Sequence, residues 1–216
     1  MLTKYGYFTI GVVTVIVFLL VVAGIYINNN IAKYALFVLG GLLMIFTLNF
    51  FRDPDRTPPE GDNIIVSPAD GKVLIIKDIT DHPYVEGECT QVSVFMSPLN
   101  VHVNRIPIDG VVEKVDYIKG EYLVAYHDKA DKLNERSEIG IKSKHGNVFF
   151  TQVAGAVARR IVYELEPGQK VYKGERFGMI KFGSRVDVIV SKDWKLNVKE
   201  GDIVAAGETI LFENVK

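Results

Sequence analysis

Hydrophobic and polar positions divide this chain into two stretches that follow different rules. Residues 8–27, FTIGVVTVIVFLLVVAGIYI, form an uncharged apolar run of 20 residues, and residues 34–51, YALFVLGGLLMIFTLNFF, form a second of 18. The first is about as long as a helix that crosses a bilayer. The NNNIAK between them leaves room only for a tight turn. The pattern therefore predicts a two-helix transmembrane hairpin over residues 1–51, with both ends on one side. A cleaved signal peptide accounts for it poorly, because the apolar core is long, no small-residue cleavage site follows and a second run comes directly after. Lys4 precedes the first span and Arg52 and Arg56 follow the second, against Lys33 alone in the turn. The positive-inside bias then puts the termini and everything beyond residue 51 on the cytosolic side of the cell membrane.

Beyond residue 51 the period changes. RDPDRTPPEGDN, residues 52–63, is rich in proline and charge and reads as a linker. Residues 64–216 then carry short runs of period-two alternation punctuated by glycine, at 72–77, 91–96, 110–118, 147–153 and 160–165. No long amphipathic helix stands out. The expected fold is mostly β, a sandwich or barrel-sandwich-like α+β domain behind the helical hairpin. Two weak internal echoes fit it: PADGKVLII with PIDGVVEKV, and GQKVYKGERF with GDIVAAGETI. Both pairs resemble the hairpins of lipoyl and biotinyl carrier domains.

Composition narrows the function. All 26 acidic residues follow Phe51, and the formal net charge is −1. Such a balance excludes the basic footprint of a nucleic-acid binder. Cys89 is the only cysteine, so neither an intrachain disulfide nor a cysteine zinc cluster is available. No metal-ligand spacing, phosphate-binding glycine loop or nucleophile elbow is present.

The candidate chemistry begins in GMIKFGSRVDVIV, residues 178–190. Ile180, Phe182, Val186, Val188 and Val190 share one strand face, and Ser184 falls on it, behind Gly183. Lys181, Arg185 and Asp187 occupy the other. A glycine inside a strand often marks a bulge, and an inward serine can simply satisfy a neighbouring carbonyl. In SPLNVHVNRIPIDG, His102 shares a polar strand face with Asn100 and Asn104. His82 and His145 sit in turn sequences, and His127 in a charged stretch. Asp70 in SPADG reads as an ordinary turn residue.

Taken together, FFRDPDR, SPADG, MSPLNVHVNRIP, DKADKLNER, QVAGAVARRI and FGSR occur in that order. This set resembles phosphatidylserine decarboxylase, from residue 50 to about 189, and the hairpin is like that of the family's short forms. The resemblance implies self-cleavage between Gly183 and Ser184, converting Ser184 into an N-terminal pyruvoyl cofactor. It also implies that the fragments 1–183 and 184–216 stay associated. In this reading Ser184 attacks the Gly183 carbonyl, His102 acts as base, and Asp70 orients it. The ketone then serves as electron sink while the serine headgroup of a membrane phospholipid loses CO2. Arg105, Arg159 and Arg160 are candidate contacts for phosphate or carboxylate, by charge type.

Two positions depart from the family pattern. Arg105 stands where many members carry a second histidine, which puts in doubt whether His102 also protonates the product. Arg185 stands where many have threonine. The rival expectation is a non-catalytic, membrane-anchored biotinyl- or lipoyl-like adaptor, which would never be cut. A homo-oligomer is left open.

Overall fold

The computed structural model describes residues 1–121, 123, 133–155, 160–181 and 184–215. The chain forms two compact units, Met1–Asp55 and Arg56–Lys216. In the first, α1 (Tyr7–Tyr26) and α2 (Asn30–Phe50) are both long and apolar enough to cross a membrane. Asn29 caps α2, its side chain accepting from the Ile31 and Ala32 amides at 2.9 and 3.1 Å. The hydroxyls of Thr14 and Thr47 donate back to the Ile10 and Leu43 carbonyls, each at 2.8 Å. Such internal satisfaction is what an apolar surrounding demands of a polar group. The helices meet at small residues: a Cβ on Gly24 would enter the Phe37 ring.

The second unit holds fourteen strands among its described residues. They are β1 (Ile64–Val66), β2 (Gly71–Ile79), β3 (Cys89–Met96), β4 (Val103–Arg105), β5 (Gly110–Ile118), β6 (Arg136–Ser143) and β7 (Gly146–Ala154). There follow β8 (Arg160–Tyr163), β9 (Lys170–Val171), β10 (Arg176–Lys181), β11 (Ser184–Ser191), β12 (Lys195–Leu196), β13 (Ile203–Val204) and β14 (Ile210–Glu213). The mostly β expectation holds, with the two apolar helices in front of it. One sheet has eight strands in the order β13-β2-β3-β11-β7-β6-β5-β9, and two smaller sheets run β4-β10-β8 and β1-β14-β12.

Strand β11 lies in the interior of the large sheet, antiparallel to both β3 and β7. Its alternation explains the place. Val186, Val188 and Val190 face a core that includes Val94, Phe150, Ile139, Phe177 and Phe212, all of them buried. Burying each such side chain contributes roughly 1.5–3 kcal/mol, which pins the register because a one-residue slip would turn the valines out. The opposite face of β11 is covered too. Arg185 and Asp187, which the alternation puts on the polar side, are 0% and 2% exposed.

Candidate active site

Ser184 opens β11, directly opposite Met96 on β3 and Ala154 on β7. It is fully buried, and its hydroxyl donates to the Met96 sulfur at 3.3 Å. The same sulfur receives Asn104 Nδ2 at 3.7 Å. Asn104 belongs to β4, in a different sheet, so the sulfur joins two layers of the fold. Behind it runs a polar chain inside the core. Gln152 Nε2 donates to Asn104 Oδ1 at 2.8 Å, and Ser137 Oγ donates to Gln152 Oε1 at 2.9 Å. Asn104 Nδ2 also reaches the Pro68 carbonyl at 3.4 Å. Ser137, Gln152 and Asn104 are fully buried, so these bonds remove what would otherwise be unpaired polar groups in the core.

A second anchor comes from Asn134, inside the DKADKLNER stretch. Its Nδ2 donates to the Ala154 and Leu123 carbonyls at 2.7 Å each, and its Oδ1 accepts the Leu123 amide at 3.0 Å. Ala154 is the residue across from Ser184, so Asn134 holds the strand end on which Ser184 lies.

His102 is fully buried just before β4. Its carbonyl accepts the Ile180 amide at 3.4 Å, which puts it beside β10, four residues before Ser184. Its Nδ1 lies 2.9 Å from the Asn100 carbonyl. A carbonyl only accepts, so this contact assigns the proton to Nδ1 and leaves the lone pair of the neutral ring on Nε2. The carbonyl is itself held by a turn. Asn100 Oδ1 accepts from the Ser97 amide at 2.9 Å and the Ser97 hydroxyl at 2.7 Å, and the Asn100 amide donates to the Ser97 carbonyl at 2.9 Å.

Asp70 ends the turn before β2, with its side chain 14% exposed. Oδ1 accepts the Ala206 amide at 2.7 Å, and Oδ2 accepts Arg56 Nη2 at 2.9 Å. Arg56 also pairs with Glu208. The turn is hooked onto β4, because the Pro68 carbonyl accepts the Arg105 amide at 2.9 Å. Gly71 permits close approach there: a Cβ at that position would collide with the Phe95 carbonyl of β3.

The cations separate. Arg105 is 4% exposed and gives Nη1 to the Gly174 carbonyl at 2.8 Å. Arg160 is exposed at the start of β8 and lies directly across from Lys181 at the end of β10. Burial, with the Arg160 charge added, holds the Lys181 ammonium below its ordinary range. Gly183, Arg159 and His127 lie outside the described residues. Sequence reasoning missed Met96, Asn100, Arg56 and Lys181. The S-P-x-N turn was the one local signal for Asn100.

An open cavity of about 490 Å³ is lined by His82, Gln91, Glu138, Phe149, Thr151 and Asp187 among others. Asp187 alternates with Ser184 along β11, so this cavity opens on the sheet face opposite the Ser184 side chain.

Comparison with known proteins bears on this arrangement. The family model for phosphatidylserine decarboxylase matches residues 43–212. A phosphatidylserine decarboxylase proenzyme of Chlorobium limicola is 46% identical over 211 residues, covering 98% of this chain and 99% of its own. A proenzyme of the same name from Salinibacter ruber is 51% identical over 175 residues, covering 80% of this chain and 76% of its own. One from Chlorobaculum tepidum is 50% identical over 168 residues, covering 78% and 77%.

Proposed function

Because the chain belongs to the phosphatidylserine decarboxylase family of carboxy-lyases, we propose that it cuts itself between Gly183 and Ser184 and then decarboxylates phosphatidylserine to phosphatidylethanolamine. The observation that carries this reading is Ser184 itself, a fully buried hydroxyl that opens an interior strand and donates to the Met96 sulfur.

In the first step Ser184 Oγ bonds to the Gly183 carbonyl carbon and the amide C–N bond breaks. The hydroxyl proton passes through a base to the liberated serine nitrogen, giving an ester isomer of the chain. Loss of the serine α-proton then expels residues 1–183 as a carboxylate. Water hydrolyses the dehydroalanine that remains, releasing ammonia and leaving a pyruvoyl group at residue 184. His102 is the proposed base: its Nδ1 is held on the Asn100 carbonyl, so Nε2 is the nitrogen that takes the proton. Asp70 is proposed only as a charge that favours the resulting imidazolium. Its carboxylate is held by Arg56 and the Ala206 amide, and the Nδ1 position from which a triad carboxylate would orient the ring is taken by the Asn100 carbonyl.

The pyruvoyl ketone supplies an electron sink for loss of CO2 from the amine-bearing headgroup. The chain's pairing suits a group at a new chain end. Residues 184–191 are paired with β3, and residues 184–189 also with β7. Farther along, β13 pairs with β2 and β14 with β1. The fragment 184–216 is therefore woven into the larger fragment at three places and stays with it after the cut. Arg160 and Lys181, facing each other across β8 and β10, are the proposed grip for the anionic headgroup. Arg159 and Arg105 were further candidates by charge; Arg105 is instead engaged by Gly174.

A lipid substrate gives the apolar hairpin a purpose, since it holds the enzyme at the membrane. By the positive-inside bias the Arg56–Lys216 unit lies on the cytosolic face. A reporter fused after Lys216 should read out in the cytosol, and activity of a periplasmic-type reporter there would refute this orientation.

The decisive experiment is intact mass of purified protein. Wild type should give two fragments divided at 183/184, the smaller without a free α-amine and reactive to hydroxylamine. Ser184→Ala should give one intact, inactive chain. A wild type that is uncut and still active overturns the proposal.

A further inference from the structure

We propose that Met96 is a positioning residue for the self-cleavage step, holding the Ser184 hydroxyl in one rotamer through its sulfur. The inference rests on the reading of Ser184 as the nucleophile and adds a residue to it.

The geometry starts from strand pairing. Met96 closes β3 directly opposite Ser184, and side chains so paired have Cβ atoms about 4.5–5.5 Å apart. That spacing lets the hydroxyl reach the thioether, and it does, at 3.3 Å. Among the described residues this sulfur is the acceptor of Ser184 Oγ. Both side chains are fully buried, so solvent does not compete for the bond.

A methionine alone is a poor positioning device, because its three rotatable bonds let it fill whatever gap is available. Here the sulfur is fixed from its other side. Asn104 Nδ2 approaches it at 3.7 Å, and Asn104 is held in turn by Gln152, which Ser137 holds. The thioether is thus the last member of a buried chain that ends on the reacting oxygen.

The acceptor type matters for the chemistry. Ser184 Oγ must keep one staggered position while it waits and must release its proton to the base when it attacks the Gly183 carbonyl. A carboxylate or carbonyl at this place would bind the proton strongly. A hydrocarbon would leave the rotor unconstrained and a buried hydroxyl unsatisfied on that side. Sulfur is a weak acceptor and fulfils both demands. The bond changes are those of the cleavage step itself; Met96 neither gains nor loses a proton or an electron.

The test replaces the sulfur without altering the shape. The full chain is synthesised in a cell-free system with detergent or vesicles, in methionine or in norleucine, which substitutes CH2 for S. The converted fraction is followed on gels with time. The chain has four methionines, so Met96→Leu is run in both media to separate Met96 from the others. Norleucine should slow cleavage of the wild-type sequence roughly threefold, as expected when one of three staggered wells is no longer selected. Met96→Leu should be slowed to a similar degree, and norleucine should slow it no further. A role in packing alone predicts no effect of norleucine, because volume is conserved. Wild-type cleavage at full rate in norleucine overturns the proposal, as does equal slowing of Met96→Leu by norleucine, which would assign the effect to another methionine. Absence of any cleavage in the wild type in methionine would instead remove the underlying reading of Ser184.

Discussion

Halving the Arg185–Asp187 pair should be among the most damaging single changes in the catalytic unit, although neither residue is proposed to touch substrate. Arg185 Nη2 donates to Asp187 Oδ2 at 2.9 Å, and Nε lies 2.8 Å from Oδ1. The side chains are 0% and 3% exposed, so solvent screens this pair far less than it screens a surface pair. Two unit charges about 4 Å apart attract by about 4 kcal/mol at an effective dielectric of about 20. Removing each ion from water costs several kcal/mol, so the intact pair is close to break-even against an apolar replacement. Removing one member keeps the desolvation cost of the other and forfeits their mutual attraction. Asp187→Leu and Arg185→Met are each expected to destabilise by about 3–5 kcal/mol, against a typical total stability of about 5–15. The double variant Arg185→Met/Asp187→Leu should lose less than either single change. Urea unfolding in detergent, on chains that also carry Ser184→Ala so that one covalent chain unfolds, gives the cycle. The expected coupling is about 3 kcal/mol or more. Single effects that add to within about 0.5 kcal/mol would mean that water reaches the pair, and the reasoning would be wrong.

Two further outcomes follow from the charges. The His82 ring packs on Phe149 at 4.5 Å between centroids, and Nδ1 accepts the Tyr84 and Val85 amides at 3.3 Å each. Burial holds its pKa below the usual histidine value, so as pH falls past about 6.5 the unfolded chain takes up the proton first and the folded state loses stability. Between pH 7.5 and 5.5 the stability advantage of wild type over His82→Asn should shrink; a constant difference would show that His82 titrates normally. Lys181→Met should raise KM for phosphatidylserine several-fold with a smaller change in kcat, and so should Arg160→Met, since each would remove a proposed headgroup contact made in ground and transition states alike. An unchanged KM in both variants would place the anion grip elsewhere.

Much of this protein was legible in order along the chain. An apolar run of 20 residues without a charge marks a helix long enough to cross a bilayer, because that property depends on local composition and length alone. Period-two alternation likewise marked the strands and turned Ser184 inward, because a strand's side chains alternate whatever lies beside it. Six ordered motifs were enough to indicate the family. Alternation does not say which strands become neighbours, and that is where the site was decided. Met96 meets Ser184 across 88 residues of sequence, and Asp70 takes the amide of Ala206 across 136. Arg185 reads as a solvent-side cation in any strand pattern, yet it is fully buried because the second face of β11 is covered as well. The Asn100 carbonyl that assigns the His102 proton is only two residues away, but the aim of a backbone carbonyl is set by φ and ψ within a turn, not by side-chain type. Local rules select faces and elements; pairing register and the direction of individual dipoles are collective properties of the packed core.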